Sequence, residues 1–147
     1  MNERSAIQSV ASWAGTAFLV LGIVGFVPGV TDNYGALKFA GHRSGAELFG
    51  VFDTSILLNL LYLALGVAAL RLARTRAGAR AYLVGGGALL LALWVFGLAV
   101  GRGDSANFVP VDSADAWLHF ALGLGMVALG VLLSRGRAEP RPAVAMP

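Results

Sequence analysis

Between Arg4 and Asp32 the chain carries no ionisable side chain. Trp13 to Val27 is nearly all apolar within that gap, and with the preceding turn the stretch reaches about 20 residues, enough to cross roughly 30 Å of hydrocarbon. Three further runs behave the same way. Residues 81–101 hold no charge, 48–70 hold only Asp53, and 115–133 hold only Asp115 and His119. Hydrocarbon offers no partner for backbone N–H and C=O groups, so each run is expected to be a helix. A cleaved signal peptide fits the first run less well, because its basic flank is thin and no small-x-small cleavage site follows.

The charges decide the topology. Residues Arg71 to Arg80 carry four of the eleven basic residues and no acid, and they separate the second run from the third. Arginines beside span ends are held on the cytoplasmic side. The N-terminus, this loop and the tail together have eight Arg and two Glu; the other two loops set Lys38, Arg43 and Arg102 against Asp32, Glu47, Asp104, Asp112 and Asp115. An even number of spans with both termini inside satisfies every segment at once. The expected fold is an all-α integral membrane four-helix bundle, with spans at about 9–27, 48–70, 81–101 and 115–133. Residues 1–134 form one domain and 135–147 a flexible cytoplasmic tail. Pro28-Gly29 ends the first helix. The long outer loop that follows leaves Ala36–Ala40 open between a short strand and an interfacial turn.

Composition agrees. Hydrophobic residues make up 57% and charged ones 13%, whereas soluble domains sit near a quarter charged. The net charge of +3 is not a nucleic-acid signal, since no basic stripe is interleaved with aromatics. Without cysteine there is no disulfide, thiolate chemistry or Cys-ligated metal. Gly85-Gly86-Gly87 lacks the Lys and Ser/Thr of a phosphate-cradling loop, and no catalytic triad or HExxH motif occurs. No cofactor, catalytic residue or metal ligand set is therefore expected. The preference for Arg over Lys, with abundant Ala, Gly and Val, fits a GC-rich bacterial genome and placement in the bacterial plasma membrane.

Six polar residues remain as candidates for binding. Asp115 and His119 are four apart and share one face at the outer end of the fourth span. His42 and Glu47 approach the same leaflet from the loop, and Asp53 is expected one to two turns inside the second span. Asn59 lies deeper, where an amide most simply bridges helices at on the order of 1 kcal/mol. Carboxylates with imidazoles can bind a divalent metal or pass protons. The plainer alternative is helix capping by Ser113 and Asp115 with buried hydrogen bonding by His119. Trp13 and Trp117 are expected as interface anchors on opposite sides, and Trp94 as packing.

A faint repeat runs through the chain. Phe26-Val-Pro28 is echoed by Phe108-Val-Pro110, and Tyr62-Leu-Ala-Leu-Gly66 lines up with His119-Phe-Ala-Leu-Gly123. It predicts a duplicated two-helix hairpin in which spans one and three are equivalent. The words Gly25-Phe-Val-Pro-Gly-Val-Thr-Asp-Asn-Tyr34, Phe39-Ala-Gly-His42, Ala79-Arg-Ala-Tyr-Leu83, Asn107-Phe-Val-Pro110 and Asp115-Ala-Trp-Leu-His119 resemble a bacterial family of uncharacterised four-helix membrane proteins. The resemblance implies the same topology and supplies no activity. That family's pattern has a His at the place of Tyr62 and an Asn at that of Ala116, so a two-His membrane site does not carry over and only His119 remains.

Three functions follow as expectations. The first is a non-enzymatic bundle that binds the lipid bilayer's components, a second copy of itself or another membrane protein. The second is a small transporter or proton pathway using Asp53, Asn59 and His119. The third is a membrane metal or redox protein with an outer-face site at His42, Asp115 and His119.

Overall fold

The computed structural model describes residues 5–40, 44–100, 106, 109 and 113–135. Four helices form the bundle: α1 (Ala6–Val24), α2 (Ile56–Leu72), α3 (Arg76–Ala99) and α4 (Ser113–Arg135). Between α1 and α2 lies a small antiparallel sheet of β1 (Thr31–Asp32), β2 (Ala46–Leu48) and β3 (Phe52–Thr54), in that order. A 3₁₀ turn at Tyr34–Ala36 follows β1. The turn option for the open segment 36–40 is thus met only at its first residue, and no strand forms there.

Three helices, α1, α3 and α4, are long and apolar enough to cross a membrane; α2, at 17 residues, is apolar but shorter. At 1.5 Å per residue α2 covers about 25 Å. Its start corrects the expected span at 48–70. Residues 46–54 fold back as the β2–β3 hairpin, turned by Phe49 and Gly50 at φ of 57° and 67°. Gly50 suits that positive φ, and a Cβ there would also push aside the Asp32 carboxylate, 2.7 Å away. Ser55 then caps α2, its hydroxyl accepting from the Leu58 N–H at 3.1 Å. The Ile56 and Leu57 N–H groups donate to the Lys38 and Phe39 carbonyls. Three of the four orphan donors of the helix start are thereby satisfied.

At the opposite end the arginine-rich stretch is mostly helical, another correction. Arg71 lies in the last turn of α2, and Arg76 and Arg80 lie in α3, whose cap is Thr75 accepting from the Gly78 N–H at 3.0 Å. Only Ala73–Thr75 connect the two helices. Gln8 pins α1 to this corner. Its side-chain oxygen accepts from the Ser5 N–H, and its amide nitrogen donates to the Ala73 and Arg74 carbonyls at 3.3 and 2.8 Å.

The helices pack chiefly as two antiparallel pairs, α1 with α2 and α3 with α4. Glycines set the spacing in both. A Cβ on Gly87 would lie 2.7 Å from the Gly123 carbonyl oxygen, and one on Gly123 would lie 2.8 Å from that of Gly87. In the other pair Gly15 lies against Ala69, and Gly66 against Leu19. The two pairs share part of their contacts, although the closest neighbours differ, Ala69 for Gly15 and the Gly123 carbonyl for Gly87. Gly15 and Gly87 each face the carbonyl of the partner glycine, Gly66 or Gly123, which in turn packs on Leu19 or Leu91. The predicted hairpin repeat therefore appears as matched contacts. In this register the counterpart of Phe26 is Leu98, still inside α3, so the two Phe-Val-Pro words do not belong to the shared frame; α3 is simply longer than α1.

The outward faces are apolar: Trp13, Val20, Ile23, Leu70, Leu98, Trp117 and Leu132 are all exposed. Trp94 is half-buried, its ring 4.7 Å from Phe120 and 6.5 Å from Trp117. Apart from Arg135, the tail expected over 135–147 lies outside the described residues. In detergent, Gly87→Ala should cost about 1–3 kcal/mol, because the new methyl meets backbone that cannot yield. Gly85→Ala, with nothing within 4 Å of its Cβ, should stay within about 0.5 kcal/mol of the parent. Thermal unfolding of the two variants measures the difference, and equal melting would contradict the proposed seam.

Candidate functional site

Among the described residues most of the buried polar side chains sit at one end of the bundle, under the sheet, the end the charge pattern predicts to be the outer one. Thr31, Ser44, Thr54, Ser55, Asn59, Asp115 and His119 are all buried. They are there because the chain turns back on itself at this end and leaves backbone groups to be satisfied. The Thr31 hydroxyl donates to the Gly25 carbonyl at 3.0 Å, closing the end of α1. Ser44 donates to the Thr54 carbonyl, tying the start of β2 to the end of β3.

Two side-chain pairs form the centre. The Thr54 hydroxyl donates to Asn59 Oδ1 at 2.8 Å, and the Asn59 amide lies directly on Gly25, where any Cβ would collide with it. One helical turn further in, Tyr62 Oη and His119 Nε2 are 2.8 Å apart, joining α2 to α4. Phe18 of α1 packs on the Tyr62 ring at 5.8 Å. Among the described residues Asn59 Nδ2 and His119 Nδ1 have no hydrogen-bond partner, though both are buried. If Tyr62 donates to Nε2, the His119 proton sits on Nδ1 and is one of those unmatched donors.

Asp53 and Asp115 meet at a cavity of about 30 Å³ that is also lined by Thr54, Tyr62 and apolar side chains from Leu21, Leu48, Phe52, Leu58 and Leu118. That volume admits about one water molecule. Asp115 is fully buried in the first turn of α4, where the helix dipole favours a carboxylate. Farther inward the bundle closes over Leu65, Leu83, Leu90 and Met126, all buried and apolar.

The candidates therefore divide. Asp53 and Asp115 share the cavity, His119 reaches it through Tyr62, and Asn59 through Thr54. Asp53 is on β3 and not inside the second helix, because residues 52–54 pair with β2 before the helix begins. Glu47 stands opposite Asp53 on the neighbouring strand but does not line the cavity. His42 lies outside the described residues. No three His, Cys, Asp or Glu side chains converge as a metal ligand set among the described residues. Sequence reasoning passed over Thr54, and it weighed Tyr62 only as the place of a missing histidine. The repeat held the signal for Tyr62, since it aligns Tyr62 with His119, the residue it contacts.

The model of one protein family, described as Domain of unknown function (DUF4383), matches residues 8–132. No curated protein and no solved structure matches the chain. Thr54→Val should cost about 1–3 kcal/mol by leaving the Asn59 amide without its buried partner. Tyr62→Phe should cost about 0.6 kcal/mol and at most near 1.7, the range for hydrogen bonds between helices in lipid. Thermal unfolding in detergent checks both, and a Thr54→Val protein as stable as the parent would contradict the bonding described.

Proposed function

The chain belongs to that family, and from this premise we propose that it is a non-enzymatic, multi-pass bundle of the bacterial plasma membrane that binds other membrane components: lipid, a second copy or another membrane protein. One observation carries the reading. Among the described residues most polar side chains at the sheet end are buried and bonded to one another or to backbone, the cavity there has room for about one water molecule, and the large surface left over is apolar helix face. A chain built this way offers its outside, not an open reactive cleft, to whatever it meets. Arg71, Arg74, Arg76, Arg80 and Arg135 at one end, with Asp32, Glu47, Asp53 and Asp115 at the other, support both termini on the cytoplasmic side.

A proton or ion pathway is the second reading, favoured by two carboxylates, a tyrosine and a histidine around one cavity. The packing inward of Tyr62 weighs against it, because a pathway needs polar stations or water across the whole thickness and among the described core residues there only the buried Tyr82 hydroxyl interrupts Leu65, Leu83, Leu90 and Met126. Unchanged proton flux in proteoliposomes carrying Asp115→Asn or His119→Gln would remove it.

The natural absence of cysteine makes topology easy to measure. In intact cells Gly35→Cys should react with a membrane-impermeant maleimide and Arg76→Cys should not; the reverse pattern overturns the orientation. Purified in mild detergent, the protein should carry bound lipid, a second copy or a partner protein by native mass spectrometry. Finding none of the three would sink the binding role.

A further inference from the structure

The uncharged stretch of α2 is shorter than that of α3. From Leu70, beside Arg71, back to Ile56 the helix rises about 22 Å. Ala81–Ala99 of α3, beyond Arg80, rises about 28 Å, close to the roughly 30 Å of a bilayer's hydrocarbon. With both arginines at the headgroup level, α2 falls about 8 Å short at its sheet end. The connecting segment stands there. Ile56 and Leu57 donate their N–H groups to the Lys38 and Phe39 carbonyls, and β3 leads into the helix cap. Phe39, Phe49 and Val51 on this segment are each more than half exposed.

Two features of the β2–β3 tip are independent of that length. Its N–H groups are satisfied within the chain: Phe49 donates to the Val30 carbonyl at 2.9 Å, Gly50 to that of Glu47 at 3.4 Å and Val51 to that of Leu48 at 3.2 Å. A tip surrounded by water needs no such closure, whereas one among lipid does. Phe49 also holds a φ of 57°, a conformation that a bulky residue adopts only at a cost, and its ring is not held there by the core.

We propose that the hairpin tip and Phe39 dip into the leaflet at the sheet end and anchor it, with the side chains of Phe39, Phe49 and Val51 among the upper acyl chains. The inference rests on the reading of the chain as a multi-pass membrane bundle, and it names a place outside the helices where that bundle meets lipid. Lipid is the occupant because the apolar surface is continuous with the helix faces. Phe49 bonds at Val30, just beyond the exposed Ile23 and Val27, and Phe39 bonds at Leu57, one turn from the exposed Leu60. The gap to be covered is also one of hydrocarbon thickness. Asp32 and Lys38, both exposed, then carry charge at the headgroup level.

The chain has no cysteine, so a single nitroxide label reports one place. Phe39→Cys, Val51→Cys and, as a reference on an exposed helix face, Leu124→Cys are labelled in the full chain. Each is reconstituted in vesicles of phosphatidylcholine and phosphatidylglycerol. Power saturation compares collisions with oxygen, which concentrates among acyl chains, and with a water-soluble nickel chelate. Labels at 39 and 51 should favour oxygen, less strongly than the label at 124. Phe49→Gly in the Val51→Cys protein removes the anchor and relieves the positive φ. Helicity should hold by circular dichroism while the label at 51 shifts toward the nickel chelate; an unmoved label overturns the anchoring by Phe49. Labels at 39 and 51 that favour nickel in the parent place the segment in water and overturn the proposal. Few collisions with either reagent mean that a second copy or a partner protein covers it, which overturns it equally. If 39 and 51 fail while 124 favours oxygen, the membrane bundle stands; if 124 favours nickel too, that reading falls with the proposal.

Discussion

Lipid does not push helices together. Acyl chains solvate leucine as well as another leucine does, so association depends on contact area and on how closely two backbones approach. In this chain that approach is made at Gly15, Gly66, Gly87 and Gly123, where one helix lies against the carbonyl oxygens or backbone of its neighbour. Everything else in the bundle is arranged around those two seams. They fix α1 on α2 and α3 on α4, and so decide which residues can meet at the outer end.

What meets there is polar, and the reason is again the solvent. A chain that reverses between two membrane helices must satisfy the carbonyls of one and the N–H groups of the next without help from hydrocarbon. The little sheet, Thr31 on Gly25, Ser55 on Leu58 and the loop carbonyls of Lys38 and Phe39 do this work. The Tyr62–His119 pair then links the two hairpins just beneath. The inner end uses a lighter device, a three-residue turn with Gln8 bridging to it, because helices α2 and α3 follow one another directly.

Much of the candidate site was legible and part was not. Asp115 and His119 were found because a helical spacing of four puts them on one face at a span end. Asn59 stood out as a lone amide in an apolar run. Asp53 was found but misplaced. Residues 48–52 are as apolar as the helix that follows, and hydropathy does not distinguish a hairpin from the first turns of a span. Thr54 was passed over, and Tyr62 was not taken as a site residue, because a threonine and a tyrosine at a span end are ordinary in sequence; only their partners make them part of the cluster.

Four apolar runs, with the arginines gathered beside one set of their ends, were determined by the sequence alone, since hydrocarbon thickness and backbone satisfaction act on each segment independently of its neighbours. Family membership rests on the sequence as well. Which helix faces pair, that Tyr62 meets His119, and that Asp53 and Asp115 line one cavity were decided only by the tertiary structure. These contacts join residues far apart in the chain. Their geometry depends on how closely two glycine seams let the backbones come, a property of pairs of helices that no single segment carries.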